Sequence, residues 1–225
     1  MNKTILEIKK LKKIYKNNNV IVNLFNNISF SIKSGELVAL TGPSGSGKSS
    51  LLHMIAMLEK PTSGKILLFK KDIKQINEND RNEIRRNNIS IIFQNNNLLS
   101  DFTALENVLM PLIIKNINID IAKKKALKIL NEFNLTERQD YFPNDLSGGE
   151  QQRIAIARAV ISGSNLILAD EATGNLDYDT SMDIFSYFKK LKKMNKAIIF
   201  ATHNRELANR ADYKLSILRG NIKRV

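Results

Sequence analysis

Three clusters in this 225-residue chain combine residue types and spacings that could do chemistry. The first is Gly42-Pro43-Ser44-Gly45-Ser46-Gly47-Lys48-Ser49, followed by Ser50. It fits the pattern G-x-x-x-x-G-K-[ST] and lies between an apolar run, Leu37–Leu40, and a helical stretch, Lys48 to Leu58. Glycines at 42, 45 and 47 let backbone N–H groups turn inward around phosphate oxygens, and the next helix aims its positive end at the same anion. Lys48 then supplies a compact charge for β- and γ-phosphates, and the Ser49 hydroxyl can ligate Mg²⁺. A chance glycine loop is the competing reading, and the strand-to-helix context argues against it.

The second cluster ends another apolar run: Leu166-Ile167-Leu168-Ala169-Asp170-Glu171. Ligands in open α/β sheets sit beyond the carboxyl ends of strands, so Asp170 is placed to hold the Mg²⁺ shell and Glu171 to act as general base on water. Alone, the pair could equally be a helix N-cap. The third cluster is Leu146-Ser147-Gly148-Gly149-Glu150-Gln151-Gln152, a second anion-binding helix start. One ATP cannot easily use two such cradles from one chain. Ser147, Gly148 and Gly149 are therefore expected to grip the γ-phosphate of ATP bound to another copy.

The elements that must position these clusters can be read coarsely. Short β-type runs occur at Ile5–Ile8, Val20–Phe25, Ile28–Ile32 and Leu37–Leu40, with others at Lys65–Phe69 and Ile89–Phe93. Asparagine runs at Asn17–Asn19 and Asn95–Asn97 read as turns. Between Asn95 and Leu146 no strong strand is evident, and Ala122, Ala126, Ile129, Leu130 and Phe133 share one helical face. A helix from Ser147, the strand Leu166–Ala169, a helix with Ile184, Phe185, Phe188 and Leu191, and the strand Ala197–Thr202 follow. A short helix near Arg205–Arg210 and a closing pair, Lys214–Leu218 and Asn221–Val225, complete the pattern. Strands alternating with helices predict a mostly parallel sheet with antiparallel ends.

Composition narrows the class. The longest apolar run, Val108 to Ile114, has seven residues and contains Pro111, so no membrane-spanning helix is predicted. No signal peptide is evident in Met1 to Lys13, and the absence of cysteine excludes a disulfide framework or thiolate metal site. A net charge of +13 admits nucleic acid or an anionic surface as partner. Yet lysine, asparagine and isoleucine are all enriched, as AT-rich codons alone would produce. The basic clusters at Lys9–Lys13, Lys123–Lys128 and Lys189–Lys193 read as solvated faces.

With the Leu146–Gln152 signature beside the other two clusters, the whole chain resembles the ABC ATPase family. The fold implied is an α/β P-loop NTPase: a mostly parallel core sheet, an N-terminal antiparallel β subdomain and an inserted α-helical subdomain. Its expected layout is one domain over 1–225, with 1–94 and 163–225 as the RecA-like core and 95–162 as the helical subdomain carrying the signature. The resemblance makes Tyr15 the aromatic that stacks on adenine, and Gln94 the glutamine that touches Mg²⁺ and water. His203 becomes the histidine that contacts γ-phosphate, with Glu171 and Gln94 the other catalytic residues. Gly174-Asn175-Leu176-Asp177 matches the loop that crosses the dimer interface, and Glu150 and Asp177 join Ser147 to Gly149 at that interface. Two departures stand out: Ser50 replaces a common threonine, keeping the hydroxyl, and Ala172 replaces a common proline after Glu171. His53 is read as packing.

The stretch Asn97 to Leu112, with Ala169 to Asp177, is similar to the subfamily of lipoprotein-releasing (LolD), macrolide-exporting (MacB) and cell-division (FtsE) ATPases, and most to the first. That resemblance implies ATP and Mg²⁺, a homodimer, transmembrane permease subunits as partners, and a peripheral place on the cytoplasmic face of the inner membrane. No nucleic acid is expected: DNA-maintenance ATPases with the same signature carry long coiled-coil insertions, which do not fit between Lys48 and Ser147. A signalling ATPase that moves no substrate remains an alternative.

Overall fold

The computed structural model describes residues 3–17, 20–174 and 176–225. Asn18 and Asn19 of the expected first turn, Asn175 of the 174–177 motif, and Met1 and Asn2 lie outside the described residues.

Two sheets enclose the helix that follows the phosphate loop. The first is antiparallel, built from β1 (Thr4–Asn17), β2 (Val20–Lys33), β4 (Ser63–Leu68) and β5 (Lys71–Asp72) in the order β2-β1-β4-β5. The runs Val20–Phe25 and Ile28–Ile32, expected as separate strands, form one strand. Asn27 adopts φ 57° inside the ladder and the register against β1 shifts nearby, so the polar pair Asn26-Asn27 marks a bulge, not a turn.

The second sheet holds β3 (Leu37–Thr41), β6 (Ile89–Ile92), β7 (Leu166–Asp170), β8 (Ala197–Ala201), β9 (Tyr213–Leu218) and β10 (Asn221–Arg224). Its order is β10-β9-β3-β8-β7-β6, parallel except for the terminal β9–β10 pair. A central parallel strand is covered on both faces, hence the unbroken apolar Leu37-Val38-Ala39-Leu40. Alternate residues serve different cores. Leu37 and Ala39 join Ile167, Ala169, Ile198 and Phe200 under the helices, while Val38 and Leu40 join Leu168, Ile199 and α1 (Lys48–Ile55) facing the antiparallel sheet.

Residues 95–162 contain α3 (Ala104–Ile114), α4 (Ile119–Glu132), two 3₁₀ turns at Thr136–Arg138 and Pro143–Asp145, and α5 (Gly148–Ile161). Helix α3 was visible in the sequence only as an apolar run, because Pro111 interrupts it. The burial of Ala104, Leu105, Val108, Leu109 and Leu112 and a Thr103/Glu106 capping box outweigh the proline. Helix α2 (Glu78–Asn88) was not foreseen: Ile84 is its one buried residue, so no apolar period announces it. Its signals are at the ends, an Asn77 cap, Glu78 and Asp80 in the first turn and Arg85 and Arg86 in the last. Helices α6 (Tyr178–Lys193) and α7 (Arg205–Asn209) complete the fold. Among the described residues no helix is long and apolar enough to cross a membrane.

Candidate nucleotide site

Strand β3 delivers the chain directly into the phosphate loop. A Cβ on Gly42 would fall 2.6 Å from the Ile217 carbonyl oxygen and 2.7 Å from Ser46 Oγ; one on Gly47, at φ 97°, would strike Leu24 and Phe25. Only glycine leaves this cradle open. Gly47 caps α1 with no side-chain hydrogen bond, so the first N–H groups of the helix keep their capacity for an anion. Lys48 is 5% exposed and curls back, its ammonium donating to the carbonyls of Gly42 (3.1 Å) and Pro43 (3.3 Å). Pro43, Ser44, Gly45 and Ser49 are exposed around it, and the Ser46 hydroxyl is buried without a hydrogen-bond partner among the described residues.

Tyr15, on β1, hangs over the start of α1. Its hydroxyl lies 3.0 Å from Ser50 Oγ and donates to Glu59, and the Lys13 ammonium stands 4.6 Å from the ring centroid. Partial burial, then Glu59, push the phenol pKa up. This is a half-open aromatic edge beside the phosphate cradle, with a cation on one of its faces.

The carboxyl ends of β6, β7 and β8 bring Gln94, Asp170, Glu171 and His203 to the same rim. The Glu171 Oε1 lies 2.6 Å from His203 Nε2 and 3.9 Å from Lys48 Nζ, while its Oε2 accepts from Gln94 Nε2 at 3.3 Å. His203 Nε2 is also 3.3 Å from Lys48 Nζ. Glu171 holds φ 48°, a left-handed value that a side-chain-bearing residue adopts only under surrounding constraint, and the backbone bond from its N–H to the Ala201 carbonyl supplies one. Ala172, after it, is packed into the core.

Asp170 is buried at the end of β7, and its Oδ1 has no hydrogen-bond donor among the described residues. An unpartnered buried carboxylate oxygen is costly unless a cation meets it. Mg²⁺ suits the set Ser49, Gln94 and Asp170, since it takes one or two carboxylates and fills its shell with phosphate and water. No cluster of three or more His, Cys, Asp or Glu suited to another metal occurs among the described residues.

The signature lies elsewhere on the chain. Ser147 caps α5 in a reciprocal box with Glu150, and among the described residues no hydrogen bond joins 147–150 to 42–50. A Cβ on Gly148 would meet open space; one on Gly149 would touch Leu176 Cδ2 at 3.7 Å, so the signature adjoins the 174–177 motif. The Asp177 carboxylate caps α6 by accepting from Thr180 N–H and Oγ1, contacts that lower its pKa. The Glu150 carboxylate also takes a bond from Arg138 Nε at 2.7 Å. His53 packs in α1, its ring 6.1 Å from that of Phe93.

Sequence reasoning missed three residues that shape this region. Arg158 of α5 donates to the Asn96 and Asn97 carbonyls, both at 2.8 Å, holding the turn after Gln94. Asn107, fully buried in α3, fastens residues 99–103. Arg138 pairs with Glu150. None has a spacing signal, because each bonds to backbone or to a residue many positions away.

A family model described as ABC transporter matches residues 25–174, from β2 through the phosphate loop and signature to Gly174. The chain belongs to the ABC transporter family. This ABC protein is accordingly a nucleotide-binding ATPase. It is similar to the lipoprotein-releasing system ATP-binding protein LolD of Legionella pneumophila (strain Paris), 42% identical over 223 residues that span 99% of this chain and 98% of the relative. The LolD of Rickettsia bellii (strain RML369-C) is 44% identical over 96% of each chain. Among solved structures, the ABC fold superposes on the ATP-binding cassette MJ0796 in a dimeric post-hydrolysis state bound to ADP and Pi, with TM-score 0.93, 35% identity and 98% coverage of both chains. The P-loop ABC ATPase fold expected from the sequence is thus the one found.

Proposed function

We propose that this chain is the ATP-hydrolysing subunit that powers release of lipoproteins from the inner membrane, as a homodimer seated on transmembrane permease subunits at the cytoplasmic face. Near full-length similarity to lipoprotein-releasing relatives supports the cargo class. The ATP-driven part rests chiefly on one observation: Glu171 Oε1 and Oε2 meet Lys48, His203 and Gln94 at the mouth of the phosphate loop.

In this reading Tyr15 stacks on adenine and residues 42–50 cradle the phosphates, with Lys48 opposite the β- and γ-phosphates. Mg²⁺, held by Ser49, Gln94 and Asp170, offsets phosphate charge when bound. Glu171 takes the proton of the attacking water, and His203 and Gln94 fix the carboxylate's direction. Residues 1–94 and 163–225 act as the core and 95–162 as the helical subdomain. That subdomain presents Ser147 to Glu150, with Asp177 beside them, to nucleotide held by the partner copy in a two-fold arrangement.

The test is reconstitution. The chain and its transmembrane subunits in lipid vesicles should release an inserted lipoprotein to an acceptor only with ATP and Mg²⁺, and Glu171→Gln should stop release. ATP hydrolysis with no lipoprotein release in the complete system would remove the cargo assignment. Dimerisation is read by light scattering: Glu171→Gln with ATP should dimerise, and adding Ser147→Arg should block it.

A further inference from the structure

The signature helix carries an electrostatic conflict. Its N-terminus must attract a phosphate, yet a carboxylate already stands there. Glu150 Oε2 accepts from both the Ser147 N–H (2.9 Å) and the Ser147 hydroxyl (2.8 Å), the same groups offered to the partner copy's nucleotide. Two anions at one helix start repel each other, and Ser147 must divide its hydroxyl between them.

The other oxygen of Glu150 resolves the conflict. Oε1 lies 2.7 Å from Arg138 Nε, a charge-assisted bond from a residue twelve positions upstream. The pairing and the Ser147 bonds hold the Glu150 pKa down to about 2, so the carboxylate is ionised throughout the physiological range. Arg138 is itself held: its guanidinium carbon lies 5.0 Å from the Tyr141 ring centroid. The carbonyls of Gln139 and Tyr141 accept the N–H groups of Leu105 and Ala104 at 2.9 and 2.8 Å. Segment 138–141 therefore ties the first turn of α3 to the first turn of α5.

We propose that Arg138 is a positioning residue for ATP hydrolysis: by neutralising Glu150 and fixing its carboxylate, it makes the Ser147 helix terminus fit to receive the partner copy's γ-phosphate. The inference rests on the reading that the signature meets nucleotide across a dimer. Arg138 itself touches no nucleotide. Its effect passes through Glu150, and charge outweighs shape in it.

A charge cycle tests this in the Glu171→Gln protein, with ATP-driven dimerisation followed by light scattering and each variant's melting temperature and monomeric ATP binding measured alongside. Arg138→Gln leaves the Glu150 charge unopposed and should raise the ATP concentration needed for dimerisation roughly tenfold, the scale of one charge-assisted hydrogen bond in a partly solvated place. Adding Glu150→Gln removes the stranded charge and should recover most of that loss. A double variant no better than Arg138→Gln alone would overturn the proposal, because the loss would then not come from the stranded Glu150 charge. Should Arg138→Gln unfold, Arg138→Lys replaces it: keeping the charge should keep dimerisation within about threefold of the parent, and a tenfold or greater loss would overturn the claim. Ser147→Arg runs in the same assay. If it fails to block dimerisation, the cross-subunit reading has failed; if it blocks while Arg138→Gln behaves like the parent, only the role of Arg138 has.

Discussion

Asn107 offers a perturbation whose size can be worked out. Its side chain is fully buried in α3; Oδ1 accepts the Leu99 N–H at 2.8 Å, and Nδ2 lies 3.0, 3.0 and 3.1 Å from the carbonyls of Leu99, Phe102 and Thr103. Two amide hydrogens serve three acceptors, so about three bonds' worth of interaction is lost in Asn107→Ala. At roughly 1 kcal/mol each, with some rehydration of the loop carbonyls, the cost is about 2–4 kcal/mol. For a chain of this length that lowers the melting temperature by roughly 5–12 °C. Asn107→Asp should be worse at neutral pH. It keeps the acceptor for Leu99 but turns a charged oxygen towards three carbonyls, so its folded-state pKa must rise above the unfolded value of about 3.9. The sign follows: relative to wild type, the Asp variant has its best stability below about pH 4 and loses it as pH climbs through the raised pKa. Thermal unfolding by circular dichroism at pH 4.5 and 7.5, each referenced to wild type, reads both effects. An Asp variant as stable as wild type at pH 7.5, or relatively more stable there than at 4.5, would refute the account of this buried amide.

Three further outcomes are expected. Lys48→Ala should abolish or severely weaken ATP binding by equilibrium titration, since it removes the cation bonded to Gly42 and Pro43 at the cradle; wild-type affinity would contradict the site. Glu171→Gln should bind ATP while hydrolysing it about 10²–10⁴-fold more slowly, and near-normal turnover would move the base role to His203. Arg158→Lys gives up the planar guanidinium fork whose two nitrogens reach the Asn96 and Asn97 carbonyls, so turnover should fall roughly tenfold with a melting shift of only a few degrees; unchanged turnover would show that the turn after Gln94 needs no clamp.

The legible part of this protein was the part whose chemistry is local. Gly42 to Ser49 announces itself because strand, turn and helix start are contiguous, and Asp170-Glu171 because a buried strand ends on charge. Helix α4 was readable from Ala122, Ala126 and Leu130, whereas α2, with Ile84 as its one buried side chain, had no period to read. Pro111 hid α3 for the opposite reason: tertiary burial overrode a local penalty. The arginines at 138 and 158 were opaque because a pairing set by three-dimensional proximity leaves no mark on spacing. Glu150 shows the same limit in reverse. Its motif was obvious, but that its carboxylate turns back onto Ser147 and Arg138 was not.

The placement of β3 has a consequence for how the chain is born. This strand, which carries the phosphate loop, pairs with β8 through Val38 and Ile199 and with β9 through Val38 and Tyr213, both synthesised long after it. Until residues 213–218 have left the ribosome, an apolar strand waits with at least one bare edge, the condition that favours aggregation and slow, non-local folding. Nucleotide cannot rescue the nascent chain, because a ligand stabilises only the state that binds it, and the cradle leans on Ile217 of β9. A chain truncated before β9 should therefore aggregate rather than persist as a partly active cassette.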